Sequence, residues 1–138
     1  MSEEKKKKFL SEDLTVVLYK MKEWCEHEEY FETCGLIGLA DNGEYSIKEC
    51  RNLSQDPTNT FILDPLDYLF FSEEFKLLCI YHSHPKGDTE PSQMDVKASE
   101  NACVPFLIYS NEEKKCELYN PRTSEVDSDL IEKIKKLV

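Results

Sequence analysis

The chain has no long apolar run. In its 138 residues nothing approaches the roughly 18 consecutive apolar residues of a membrane-spanning helix, so a membrane partner is not expected. Basic residues are outnumbered: 17 Lys and Arg stand against 28 Asp and Glu, a net charge of −11. Nucleic acid wants clustered Lys and Arg for its phosphates, so it too is not expected as a partner. The one dense basic cluster, Lys5 to Lys8, is followed by Ser11, Glu12 and Asp13 instead of an apolar segment, so a secretion signal is not expected. Residues 1–10 therefore read as a charged tail. The six cysteines include no C-x-x-C pair, which excludes a paired-knuckle zinc site. With no signal peptide expected, buried thiols are a simpler account of them than a disulfide framework. Cys34 and Cys79 sit in apolar segments, so buried thiols in a reducing, cytoplasmic compartment are expected. There is no internal repeat, low-complexity linker or composition break. At about 150 residues per domain, residues 11–138 read as one domain.

What is present is an ordinary globular composition, 40% hydrophobic and 11% aromatic, enough to build a core and not that of a disordered chain. Ser11 reads as an N-cap. After it Leu14, Val17, Leu18, Met21 and Cys25 share one face of a helix reaching about residue 29. Residues 34–39 are an apolar strand, Asp41-Asn42-Gly43 a hairpin turn, and residues 44–50 the returning strand. A polar loop over 52–59 leads to a short strand at 60–63. Asp64-Pro65 then places a capping residue before a proline at the first position of a helix ending near residue 75. Residues 77–84 form a strand that puts Leu78, Ile80, His82 and His84 on one face. A loop over 85–91 precedes a helix opened by Ser92 and reaching about residue 101. Strands at 105–109 and 115–119 are joined by a polar turn at 111–113, and Ser128 caps a final helix. The pattern predicts an α/β layered domain with a mixed, largely antiparallel sheet flanked by helices.

Only three histidines occur, and two of them are His82 and His84. On a strand, residues i and i+2 point the same way about 7 Å apart, close enough for both imidazoles to reach one metal ion. Asp95 falls in the first turn of the helix after Ser92, and a loop of this length can fold back to bring it beside them. Two His and one carboxylate leave a position for water, the pattern of a catalytic zinc and not of a closed structural one. Each residue has a plainer reading. His82 alone would be a core histidine, His84 before Pro85 would end a strand, and Ser92-x-x-Asp95 would be a capping box with Asp in place of Glu. Other motifs fail. Gly35-x-x-Gly38 lacks the remaining P-loop residues, His27-Glu28-Glu29-Tyr30-Phe31 lacks the second His of H-E-x-x-H, and no P-C-x-x-C of a deaminase occurs. A thiol nucleophile at Cys34 or Cys79 has no supporting motif.

His82-Ser83-His84-Pro85, Ser92 and Asp95 together reproduce H-x-H-x7-S-x2-D, and Glu32 precedes the apolar run Cys34-Gly35-Leu36. In this the chain resembles the JAMM (MPN-plus) metalloproteases. The resemblance implies a single MPN (JAB)-like domain with a curved sheet, and zinc held by His82, His84 and Asp95. It implies Glu32 as the residue that holds the attacking water and moves its proton, and Ser92 as a hydrogen-bond donor to the oxyanion. Glu23, Glu26, Glu28 and Glu29 lie nearby, but Glu32 abuts the strand and matches the motif offset. The donor set suits zinc and does not exclude iron, cobalt or manganese. The implied activity is hydrolysis of a peptide or isopeptide-linked protein substrate. The alternative is a catalytically silent MPN domain serving as an assembly part. Three stretches, at 52–64, 80–95 and 105–110, look most like the domain in tail-assembly proteins of tailed phages, implying phage tail proteins as partners and association with virions. Such relatives often carry a second, cysteine-peptidase domain acting on cell-wall peptides. None is seen within these 138 residues, and compact bacterial and archaeal relatives instead remove small ubiquitin-like or sulfur-carrier proteins from targets, so both substrate classes stay open. Short connections after the Ser92 helix and at the 111–113 turn give no support to a dedicated ubiquitin-chain specificity.

Overall fold

The computed structural model describes residues 7–138. Among them run six strands and four helices, in the order β1 (Lys8–Ser11), α1 (Leu14–Glu26), β2 (Cys34–Leu39), β3 (Tyr45–Cys50), α2 (Pro65–Glu74), β4 (Lys76–His84), α3 (Gln93–Ala102), β5 (Phe106–Ser110), β6 (Lys115–Tyr119) and α4 (Ser128–Leu137). The strands form one sheet in the order β1-β3-β2-β4-β5-β6. Only β4 and β5 pair in parallel, joined by the crossover through α3; the other pairs are antiparallel. The mixed, largely antiparallel α/β sheet is as the sequence predicts.

Each face of the sheet carries a core. Against one face, α1 and α4 bury Leu14, Val17, Met21 and Ile134 over Ile37, Ile47, Cys79, Tyr81 and Leu107. On the other, Phe71 of α2 packs with Leu36, Ile80, Phe106 and Ile108. With both faces covered, β4 is buried over most of its length and can carry its histidines on an interior strand. Tyr81 lies across β2 because Gly35 is its pairing partner. A Cβ at Gly35 would collide with the Tyr81 ring and the Lys48 carbonyl oxygen, so only glycine admits this close approach.

Several boundaries differ from the sequence reading. The tail is shorter, because Lys8–Ser11 pairs with β3 and Phe9 packs on the core; a strand of 4 residues is too short to show a period. Residues 1–6 of that tail lie outside the described residues. Asp13, not Ser11, caps α1, and Asp127, not Ser128, caps α4. Helix α1 stops at Glu26, short of residue 29, and the Glu28 carboxylate takes the amides of Tyr30 and Phe31 at 3.1 Å each, making a turn. The strand expected at 60–63 is reduced to a single bridge between Asn52 and Leu63. The alternation expected along β4 also breaks. The register with β2 shifts between Ile37 and Gly38, a bulge that sends Leu78 into the α1 core beside Cys79, away from Ile80 and His82.

Candidate metal centre

The site forms where β4 ends and α3 begins. His82 is wholly buried, its ring stacked on Phe61 at 4.4 Å between centroids and edge-on to Phe106 at 5.4 Å. His84 is two residues on, on the same face, with its ring 5.1 Å from that of His82. After the 85–91 loop, Ser92 and Asp95 exchange hydrogen bonds. The Asp95 N–H donates to Ser92 Oγ and the Ser92 N–H donates to Asp95 Oδ2, both at 3.0 Å. This is a complete capping box, and it also aims the carboxylate. The same Oδ2 lies 3.2 Å from Nε2 of His82 and 3.2 Å from Nε2 of His84. The plain reading of Ser92-x-x-Asp95 and the metal reading thus coexist in one geometry.

His84 Nδ1 is 2.8 Å from the Asp88 carbonyl oxygen. A carbonyl only accepts, so Nδ1 carries a hydrogen; in the charged ring Nε2 carries a second one and donates to Asp95, and its loss would free that lone pair for a cation. The loop that provides this carbonyl is tied to the β5–β6 hairpin. Ser110 Oγ donates to the Gly87 carbonyl at 2.7 Å, and Thr89 Oγ1 donates to Glu117 at 3.0 Å. Gly87, at φ +97°, makes the turn. His82 Nδ1, by contrast, is buried without a hydrogen-bond partner.

In the metal-free fold the titration of the three groups is set by burial and by their hydrogen bonds to one another. Burial lowers the His82 pKa, opposed by its bond to Asp95. Burial acts the same way on His84, but the bonds to Asp95 and to the Asp88 carbonyl outweigh it and the pKa is raised. Burial would raise Asp95, yet the two histidines hold it well below the usual carboxylate range. The three candidate ligand atoms lie within 4.8 Å of one another. Ligands about 2.0–2.1 Å from a tetrahedral zinc stand about 3.3 Å apart, and the two 3.2 Å separations match that spacing. The residues fit the metal.

Glu32 approaches from the turn before β2. Its backbone N–H donates to the Pro57 carbonyl at 2.7 Å, and the next residue is latched to β4: the Thr33 N–H donates to Ser83 Oγ and the Ser83 N–H to the Thr33 carbonyl, both at 2.9 Å. Ser83, the middle residue of H-x-H, therefore ties the turn before β2 to the histidine strand. Glu32 is 6% exposed, and its Oε1 is buried without a hydrogen-bond partner. Burial pushes its pKa up to about 8, His84 pulls against this, and Asp95 and Asp56 add to it. The other acids of the cluster are turned elsewhere: Glu23 to Lys20, Glu26 to the Tyr109 hydroxyl and Glu28 to backbone amides, while Glu29 is exposed. Glu32, His84 and Ser92 line one cavity of about 290 Å³, with Tyr30 and Lys86 at its walls. Ser92 Oγ accepts from Asp95, which leaves its own hydrogen available toward this cavity.

All five residues singled out in the sequence are thus brought to one place. Phe61 and Ser83 were not foreseen there. The only signal for Ser83 was its place between the histidines, and Phe61 sat in a segment read as a strand. No disulfide links the six cysteines; Cys25, Cys34, Cys50, Cys79 and Cys116 are buried. Burial holds the Cys50 and Cys116 thiols up at about 12, and Cys25 and Cys79 are raised for the same reason, all far from a thiolate.

Residues 15–123 match the family of prokaryotic homologues of the JAB domain. The tail tip assembly protein K of Escherichia phage N15 is 34% identical over 91 residues, 66% of this chain and 37% of that protein. A probable TtuB-protein conjugate cleaving protease of Thermus thermophilus is 36% identical over 66 residues, 44% of each chain. The matches therefore span less than half of either relative. A protein of Desulfitobacterium hafniense, solved in solution, superposes with a TM-score of 0.56 at 19% identity over 82% of this chain and 92% of its own. A JAB1/MPN domain protein from Archaeoglobus fulgidus does so at 0.50 and 20% identity, over 82% and 90%. At these identities the likeness concerns the fold. With the family match spanning most of the sequence and the same sheet-and-helix architecture in a solved MPN domain, this chain belongs to the JAB/MPN family.

Proposed function

We propose that the chain is a zinc-dependent peptidase or isopeptidase. The observation that carries this reading is the convergence of His82, His84 and Asp95, with Glu32 and Ser92 on the wall of the adjoining cavity. His82, His84 and Asp95 hold the metal. Zinc supplies a Lewis acid that lowers the pKa of a water to about 7 and polarises the scissile carbonyl. Glu32 accepts the proton of the attacking water on its carboxylate and returns it to the leaving nitrogen as the C–N bond breaks. Burial raises this carboxyl to about 8 in the metal-free fold, and a cation beside it would draw it back toward the ionised form that takes a proton. The Ser92 hydroxyl donates to the oxygen that gains charge as water adds.

The substrate is a peptide or isopeptide-linked protein. The name of the Thermus relative, a probable TtuB-protein conjugate cleaving protease, supports the isopeptide form. The name of the phage relative favours a second reading, an assembly part whose partners are phage tail proteins and whose place is in the virion. Metal content decides first. Protein purified without an affinity metal, analysed by plasma mass spectrometry and assayed on a panel of linear and lysine-isopeptide substrates, is expected to carry one zinc per chain and to hydrolyse the isopeptides. His82→Ala should lose both. Zinc without hydrolysis of any panel member would turn the reading to assembly, and no zinc after metal is offered would end the metal reading.

Ser92 carries two roles that one substitution removes together. Ser92→Ala is expected to lose about 1 kcal/mol of stability with the cap and about 10²-fold in kcat with the oxyanion donor. Ser92→Thr keeps a hydroxyl at the cap and should restore most of both, read from urea midpoints and initial rates. A Thr variant as slow as Ala would argue against the donor role.

A further inference from the structure

We propose that Asn52 is a positioning residue for Glu32: its side-chain amide clamps the Glu32 backbone to the 52–63 segment and so sets where the carboxyl stands beside the histidines. The inference rests on the reading of Glu32 as the proton-transfer residue.

An asparagine amide offers two N–H donors and two acceptor lone pairs. At Asn52 all four are used. Nδ2 donates to the carbonyls of Glu32 and Thr60, both at 3.1 Å. Oδ1 accepts from the N–H groups of Ser54 at 3.0 Å and Ile62 at 3.1 Å. The orientation of the amide follows, because two carbonyls face one end and two N–H groups the other. The Glu32 N–H is held from the same segment by the Pro57 carbonyl, so both backbone polar groups of Glu32 are anchored there. Phe61 lies between the two residues the amide grips on the far side, and its ring is the one stacked on His82. One side chain therefore spaces the candidate base on one side and the cover of a candidate metal ligand on the other.

Among the described residues no side-chain hydrogen bond holds Glu32 at this depth. Its Oε1 is buried and has no hydrogen-bond partner, so the carboxyl keeps its place through its backbone. Displacing a reacting group by about 1 Å can cost 10²-fold in rate, which is the scale to expect if the clamp is lost. An aspartate is nearly isosteric, yet it would set a bare carboxylate oxygen against the carbonyls of Glu32 and Thr60. It therefore removes the donating half of the clamp and keeps the accepting half.

The test compares wild type, Asn52→Ala, Asn52→Asp and Glu32→Gln. The Glu32 carboxyl is followed in the metal-free proteins by ¹³C NMR, its resonance identified by its loss in Glu32→Gln. Zinc alone is used to measure metal stoichiometry. A quenched lysine-isopeptide peptide is used to measure kcat and KM. Both Asn52 variants should bind one zinc per chain, with kcat down about 10²-fold and KM within about threefold. The Glu32 titration should move down toward that of an ordinary glutamate as the carboxyl gains water. A folded Asn52→Ala that keeps the wild-type Glu32 titration, or the wild-type kcat, overturns the assignment. So does failure of both Asn52 variants to fold, which would make the amide a general staple. Absence of hydrolysis in wild type defeats the enzymatic reading instead, and the NMR titration then still decides whether Asn52 places Glu32.

Discussion

Glu32→Gln is expected to lower kcat by about 10³-fold while the protein still binds one zinc per chain, the middle of the range for losing a general acid–base group. Glutamine keeps the shape and removes the ability to take a proton. The three candidate ligands do not include Glu32, so metal content should not follow activity. This separates Glu32→Gln from His82→Ala, in which metal and activity fall together. Matched measurements of zinc by mass spectrometry and of isopeptide hydrolysis make the comparison. Full activity in zinc-loaded Glu32→Gln would remove Glu32 from the mechanism and return the acidic cluster after α1 to a solvated helix end.

The same substitution is expected to stabilise the metal-free protein at high pH. The Glu32 carboxyl is pushed from 4.5 to about 8 in the folded state, chiefly by burial. Between those values the folded chain holds a proton that the unfolded chain has released. Its contribution to stability is whole below about pH 4.5 and is lost as pH rises toward 8. Glutamine has no charge to bury and escapes that loss. At pH 9 metal-free Glu32→Gln should exceed wild type by about 2 kcal/mol, less than the full shift implies because the open cavity lets water screen part of the charge. At pH 4 the two should coincide. Urea midpoints after chelation at pH 4, 7 and 9 measure this, and equal midpoints at pH 9 would show that Glu32 is solvated in the metal-free fold. A carboxyl that costs stability and makes no hydrogen bond through a buried oxygen is what a site held ready for chemistry looks like.

The elements were legible where the pattern was long and local. The α1 periodicity, the Asp41-Asn42-Gly43 hairpin, the Asp64-Pro65 helix start and the β4 run were each written in consecutive residues, and the structure has them. The pairing of His82 with His84 needed only the two-residue repeat of a strand. For Asp95 the loop and capped first turn allowed the approach, and the resemblance to the JAMM pattern pointed to it. What failed was decided at a distance. Lys8–Ser11 is a strand because β3 offers an edge and the core takes Phe9. Leu78 left the histidine face because β2 and β4 slip register at a bulge, which no alternation within β4 reveals.

The sequence by itself offered the candidate donors and their spacing: the strand repeat puts two imidazoles on one face, a capped first turn can bring a carboxylate to them, and the resemblance to the JAMM pattern singled the three out. Only the tertiary structure decided the state of those groups. The tautomer of His84 depends on a carbonyl that the β5–β6 hairpin holds in place, and the raised pKa of Glu32 depends on burial beneath a turn that Asn52 and Ser83 fasten from elsewhere in the chain. Desolvation and hydrogen bonding come from what the folded chain places nearby, so chemistry whose donors could be read residue by residue acquires its poise only when distant segments close around it.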